Sequence, residues 1–193
     1  MKLVFATNNA HKLREVAQVV GEEFELVSLK ECGITEDIPE NEPTLEGNAL
    51  AKARYIHSRT GLNCFADDTG LEVDALGGEP GVRSARYATD GHDDEANKRL
   101  LLERMQGEEN RAAQFRTALV LIMDGKEYLF EGVVRGRILC AECGEGGFGY
   151  DPVFMVDGKS FAEISSDEKD KLSHRGKALN LLLEKLNDYL SVK

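Results

Sequence analysis

The sequence predicts a mixed α/β fold, and three observations carry that prediction. Extended apolar runs alternate with helical stripes: residues 2–6 extended, Leu13, Val16, Ala17 and Val20 at helical spacing, 24–29 extended, Leu45, Ala49, Ala53 and Ile56 helical, 63–66 extended. Two long extended runs, 113–123 and 126–134, are joined by Asp124-Gly125, a two-residue hairpin signal. Leu179, Leu182, Leu183, Leu186 and Leu190 then mark a terminal helix. Strand and helix alternating, followed by a hairpin and a closing helix, is the element order of a mixed sheet covered by helices.

Each element has a local cause. Thr7-Asn8-Asn9 supply turn and cap chemistry before a helix over residues 10–20, which Gly21 stops. Residues 31–43 are a loop rich in acids and prolines, and Thr44 is placed to cap the next helix. On that helix Asn48 and Lys52 are i, i+4 neighbours on one side. The strand over 63–66 leads into Asp67-Asp68, read as standing at a strand end, and a second extended run covers 71–76. Residues 77–81 form a loop, and 92–105 a helix with Ala96, Leu100, Leu101 and Met105 inward. After the hairpin, 135–140 continues a meander. Residues 144–149 hold four glycines in six positions, a mobile loop before Tyr150-Asp151-Pro152. A short strand follows at 153–156, and 164–172 is polar.

Bulk properties exclude several classes. The 193 residues suit one domain, or one domain of two lobes. With 24 basic and 35 acidic residues the net charge is −11, which argues against a protein built to grip a nucleic-acid backbone. The longest apolar run, 118–123, is far too short to cross a bilayer, and no signal-peptide core is visible, so a cytoplasmic protein is expected. Cys140-Ala-Glu-Cys143 has C-x-x-C spacing, but no second pair completes a zinc site, and the four cysteines read as incidental reduced thiols.

Four polar clusters point to chemistry on a phosphorylated substrate. Thr7-Asn8-Asn9-Ala10-His11-Lys12 lies between the first strand and first helix, where free N–H groups and the helix dipole favour an anion. Asp67-Asp68 places two carboxylates side by side, which is unfavourable unless a cation, a proton or hydrogen bonds relieve it. One of them could hold a metal while its neighbour fixes geometry, or Asp68 could act as a general base. Glu40 in the acidic loop could share a magnesium ion with Asp68, and Lys52 could reach a phosphate. Phe148 between glycines lacks a core to enter, and stacking on a base would explain it. Tyr150 and Asp151 follow it. Ser173-His174-Arg175-Gly176 opens the last helix as a donor-rich turn, with Ser173 as cap and His174 and Arg175 aimed at an oxo group.

These motifs resemble the inosine triphosphate pyrophosphatase family. The resemblance runs through Thr7-Asn8-Asn9-x-x-Lys12, Glu46-x-Asn48-Ala49-x-x-Lys52-Ala53, Ala66-Asp67-Asp68-Thr69-Gly70-Leu71, the segment from Pro80 to Tyr87, Gly147-Phe148-Gly149-Tyr150-Asp151-Pro152 and Ser173-His174-Arg175-Gly176, almost the whole chain. It implies an elongated central mixed β-sheet flanked by helices, forming one two-lobed domain over residues 1–193 with a substrate cleft between the lobes. It implies magnesium-dependent hydrolysis of ITP, dITP or XTP to the monophosphate and pyrophosphate, by a homodimer. By motif, Asp68 is the catalytic proton acceptor and touches the metal, with Glu40 as the other metal carboxylate. Thr7, Asn8, Asn9, Ala10, His11 and Lys12 bind the triphosphate, assisted by Lys52, and His11 replaces a smaller residue often found there. Thr69 contacts substrate. Phe148, Gly149, Tyr150, Asp151, Lys169, His174 and Arg175 form the base-binding side. Two other readings are a related pyrophosphatase resembling septum-formation inhibitors and a non-catalytic nucleotide-binding regulator. The Phe148–Asp151 and Ser173–Arg175 motifs disfavour the first, and the intact Asp67-Asp68 pair disfavours the second.

Overall fold

The computed structural model describes residues 2–7, 12–13, 16–17, 20, 24–36, 38–165, 168–169 and 172–191. Among these, seven strands make one sheet: β1 (Lys2–Phe5), β2 (Glu25–Ser28), β3 (Cys64–Val73), β4 (Ala112–Met123), β5 (Lys126–Ile138), β6 (Phe154–Val156) and β7 (Lys159–Ser160). Their spatial order is β2-β1-β3-β4-β5-β6-β7. β1 runs parallel to β2 and β3, with Phe5 opposite Phe65, while β5, β6 and β7 pair antiparallel. Three described α-helices accompany the sheet: α1 (Leu45–Thr60), α2 (Asp94–Arg104) and α3 (His174–Ser191). Residues 12–13 and 16–17 are helical, within the stretch expected as the first helix. No described helix is long and apolar enough to cross a membrane.

The chain divides into two compact units. Unit 1 comprises Met1–Asp68, Thr117–Gly132 and Gly176–Lys193. Its strands alternate strictly. Val4, Cys64, Ala66, Ala118 and Val120 meet α1 through Leu45, Ala49, Ala53 and Ile56. Leu3, Phe5, Phe65, Leu119 and Leu121 instead meet Val16 and the α3 stripe of Ala178, Leu179, Leu182 and Leu186. Successive residues of a strand point to opposite faces, so each face of this sheet takes its own helical cover. Unit 2 comprises Thr69–Arg116 and Val133–Arg175. Its core joins Leu71 and Val73 of β3 with Phe115, Val134, Ile138, Phe154 and Phe161, packed on Leu101 and Met105 from the α2 side.

Local chemistry sets the ends. The Thr44 hydroxyl accepts from Gly47 N–H at 3.0 Å, and Gly61, in the left-handed region, closes α1. The Asp93 carboxylate caps α2 by accepting from Ala96 N–H. Asp124 and Gly125 both have positive φ, as the expected hairpin turn demands.

Four expectations change. Asp67-Asp68 does not stand at a strand end: β3 runs unbroken from Cys64 to Val73, because each carboxylate meets a partner on its own face and the chain can stay extended. Residues 74–76 are a 3-10 turn rather than extended chain. The expected break near 135 is absent. Gly136 sits inside β5, where a Cβ would lie 2.4 Å from the Met155 carbonyl oxygen, so glycine lets β6 approach without interrupting the strand. Finally, β7 was not foreseen, although Asp157-Gly158 repeats the dipeptide that marks the first hairpin and also has positive φ at both residues.

Candidate active site

Unit 1 gathers three carboxylates and two ammonium groups around β3 and α1. Asp67 shares parity with Phe65, so it projects to the face covered by Val16 and α3. There the Lys12 ammonium donates to Oδ1 at 3.0 Å and lies 2.9 Å from Oδ2. Asp68 shares parity with Ala66 and projects to the α1 face. Its Oδ2 accepts from Asn48 Nδ2 at 2.9 Å, and its Oδ1 lies 3.6 Å from Lys52 Nζ. Adjacency in sequence therefore becomes opposition in space, which is how the chain relieves the repulsion of two neighbouring carboxylates.

Lys52 and Asn48 lie one turn apart on α1 and reach both β3 and the acidic loop. Lys52 Nζ donates to Glu40 Oε1 at 2.6 Å, and Glu42 N–H donates to Asn48 Oδ1 at 2.9 Å. The loop presses close on the helix start: a Cβ at Gly47 would meet the Glu42 Cβ at 2.8 Å. Burial pushes the Asp68 carboxyl above the ordinary aspartate value, and Lys52 and Lys12 only partly offset it. Burial opposes the charge on Lys52, but Asp68, Glu40 and Asp67 outweigh it and hold the ammonium above the ordinary lysine value. Asp68 is thus a buried base with reserve proton affinity, flanked by a lysine that stays charged.

Unit 2 builds a different cluster around Asp151, which is buried. Its Oδ2 accepts from Phe148 N–H at 2.8 Å and from Lys169 Nζ at 2.5 Å. The Lys169 ammonium lies 4.8 Å from the Phe148 ring centroid and the Arg175 guanidinium carbon 5.9 Å from it. Gly147 has φ +74°, and a Cβ there would sit 2.2 Å from Asp151 Oδ2. That glycine lets the loop close onto the carboxylate. Gly149 N–H donates to Asp94 at 3.2 Å, and the Tyr150 hydroxyl donates to the Ser84 carbonyl at 2.8 Å. His174 is buried, stacked on Phe115 at 4.7 Å with an interplanar angle of 16°. Arg175 Nη2 lies 3.5 Å from the Thr69 hydroxyl, at the outer limit for a hydrogen bond.

The expected residues therefore fall into two groups. Lys12, Glu40, Lys52 and Asp68 come together in unit 1. Thr69, Phe148, Gly149, Tyr150, Asp151, Lys169, His174 and Arg175 belong to unit 2, tied by the contacts just described. Thr7 follows β1, its N–H donating to the Phe5 carbonyl at 2.8 Å. Asn8, Asn9, Ala10 and His11 lie outside the described residues. Sequence reasoning left Asn48, Asp94 and Ser84 without assigned roles, and gave Asp67 only the alternatives it shares with Asp68. Asn48 carried a signal, because it faces the same way as Lys52. Asp94 and Ser84 carried none, since their partners are 55 and 66 residues away.

The chain is similar to known proteins over nearly its whole length. The model of the Ham1 family matches residues 3–185. The chain is 50% identical over 193 residues to a dITP/XTP pyrophosphatase of Porphyromonas gingivalis, covering 98% of this chain and 97% of the relative. It is 46% identical over 188 residues to a dITP/XTP pyrophosphatase of Flavobacterium johnsoniae, covering 96% and 98%. The solved structure of the Staphylococcus aureus Ham1 protein superposes with a TM-score of 0.90 at 36% identity, covering 98% of this chain and 100% of that one.

Proposed function

Because the chain belongs to the Ham1 family, we propose that it acts as a dITP/XTP pyrophosphatase, the activity for which its relatives are named. It hydrolyses ITP, dITP and XTP to the nucleoside monophosphate and pyrophosphate, which keeps these nucleotides out of DNA and RNA. One observation carries the reading: a buried aspartate of raised proton affinity, Asp68, held by Lys52 and Asn48 next to a second carboxylate, Glu40.

In the reaction a water oxygen bonds to the α-phosphorus while the bond to the bridging oxygen breaks and pyrophosphate leaves. Asp68 takes the proton of that water. Lys12 and Lys52 offset the charge that grows on the leaving group. Residues 7–12 receive the triphosphate. Magnesium is the proposed cofactor, with Glu40 and Asp68 as its protein ligands. The donor set fits. Both carboxylates converge on one cation, the Lys52 ammonium, at 2.6 and 3.6 Å. Magnesium needs few protein oxygens, since water and phosphate complete its shell. When bound, it supplies Lewis acidity to the phosphate oxygens.

The unit 2 cluster takes the base. Hypoxanthine and xanthine carry a 6-oxo acceptor that Arg175 can satisfy, whereas adenine presents an amino donor there and leaves two donors facing each other. Phe148 offers a stacking face. A homodimer in the cytoplasm completes the reading, and light scattering checks the dimer.

The test is product analysis with magnesium, offering ITP, XTP, dITP, GTP and ATP separately. Monophosphate and pyrophosphate from the first three, abolished by chelation, are expected. Diphosphate and phosphate would place the attack at another phosphorus and overturn the role given to Asp68.

A further inference from the structure

Asn48 is one of the most buried polar residues of unit 1, at 2% exposure, and no step of the proposed reaction uses it. Both ends of its amide are engaged. Nδ2 donates to Asp68 Oδ2 at 2.9 Å, and Oδ1 accepts from the Glu42 backbone N–H at 2.9 Å. These bonds fix the amide orientation, because neither the carboxylate nor the N–H could pair with a flipped group. The two contacts belong to chemically different parts of the site. One sets the rotation of the Asp68 carboxylate within its strand. The other fastens the loop that carries Glu40, two residues before Glu42.

We propose that Asn48 is a positioning residue that selects the working oxygen of Asp68 and couples it to the Glu40 loop. By occupying Oδ2, the amide leaves Oδ1 as the oxygen directed to Lys52, which in turn binds Glu40. Asn48 and Lys52 thus form a double clamp from one face of α1, each touching both the strand and the loop. The close approach at Gly47 serves the same end, since any side chain there would push the Glu42 segment away from the helix. A neutral amide suits this place better than a second lysine, because its hydrogen bond orients the carboxylate and lowers its proton affinity less than the charge of either Lys52 or Lys12 does. Partners of this kind, one step removed from the reacting groups, typically change activity or metal affinity by about 10–100-fold when removed.

This inference rests on the proposed pyrophosphatase activity, so its test has two arms. Asn48→Asp keeps the acceptor for Glu42 N–H and removes the donor to Asp68, while Asn48→Ala removes both. With dITP and saturating magnesium, both variants are expected to lose about 10–100-fold in kcat with KM changed no more than about twofold. Asn48→Gln, which retains the amide, is expected to recover part of that loss. In the metal-free protein, hydrogen exchange at the Glu42 amide is expected to accelerate in Asn48→Ala and to stay slow in Asn48→Asp. The Asn48 side-chain amide resonance is expected to move in Asp68→Ala. A folded Asn48→Asp enzyme with kcat within about twofold of the parent would overturn the positioning role. If the parent itself turned over no purine triphosphate, the pyrophosphatase reading would fall. The clamp would then stand or fall on the exchange and resonance measurements, and no response in either would overturn it.

Discussion

The two polar clusters are built on opposite electrostatic plans. In unit 1 three carboxylates, Asp67, Asp68 and Glu40, face two ammonium groups, Lys12 and Lys52. In unit 2, among the described residues, the Asp151 carboxylate faces Lys169 with Arg175 nearby, and aromatic rings surround them. Among the described residues the first plan leaves negative charge in excess, which suits a divalent cation and a base. The second leaves N–H donors in excess beside apolar faces, which suits a flat ligand rich in oxygen acceptors. This contrast in side-chain inventory supports the proposed division of labour, in which one cluster moves a proton and the other chooses a base.

The strongest break in that contrast is Asp68→Asn. It is expected to cut kcat by about 10²–10⁴, the range for a lost general base. Stability should not fall. Burial raises the Asp68 pKa in the folded state, so the folded form binds the proton more tightly than the unfolded chain. The stabilising contribution is complete below the ordinary aspartate pKa and is lost as pH rises through the raised folded value. At neutral pH the ionised carboxylate is a cost that the amide removes. Thermal melts at pH 7 check this, and a melting midpoint well below the parent's would show that Asp68 supports the fold instead. The acid limb of kcat/KM in the parent should correspondingly sit above the ordinary aspartate range.

Gly147→Ala tests the other plan. The new Cβ would lie 2.2 Å from Asp151 Oδ2 at a residue with φ +74°, so the loop must withdraw from the carboxylate. A cost of about 1–3 kcal/mol in stability is expected, with KM for dITP raised about tenfold or more. Inhibition by inorganic triphosphate, which has no base, should stay within about twofold of the parent, because Lys12 and Lys52 are untouched. Equal weakening of both ligands would erase the distinction between the clusters.

Arg175→Ala is a smaller change within unit 2. Removing one charged donor from a 6-oxo group costs about 1.5–3 kcal/mol, so the preference for ITP over ATP should narrow by about 10–100-fold. An unchanged ratio measured by competition would remove Arg175 from base selection.

The two clusters also differed in how far they could be read from sequence. Lys52 was legible, because helical spacing places it beside Asn48 and the apolar stripe fixes which face turns inward. The Asp67-Asp68 pair was visible but misplaced, since sequence adjacency hides the alternation that sends its members to opposite faces. Phe148 was legible as an apolar residue among glycines. The reason it holds its place was not, because the N–H of Phe148 depends on Asp151 and the loop depends on Asp94, 55 residues away. Periodicity reports local geometry and burial. It is silent on which distant polar groups meet, and β7 shows that even a local signal goes unused when the strands around it are short.

The smallest expected effect is the one that guards the others. Arg54 and Glu127 form a two-bond ion pair at 2.6 and 2.9 Å in unit 1, but both side chains are more than a third exposed. Solvent and salt screen such a pair, and ordering two long side chains offsets most of what remains. Arg54→Ala should therefore leave kcat and KM unchanged and move the melting midpoint by no more than about 2 °C. The pair matches the Lys52–Glu40 contact in length, 2.6 Å in each case, and differs from it chiefly in burial. If Arg54→Ala lowered kcat as Asp68→Asn does, the losses would report general damage to unit 1. With Arg54→Ala inert, they belong to the buried cluster, where each charge is held by a partner on its own face of the sheet.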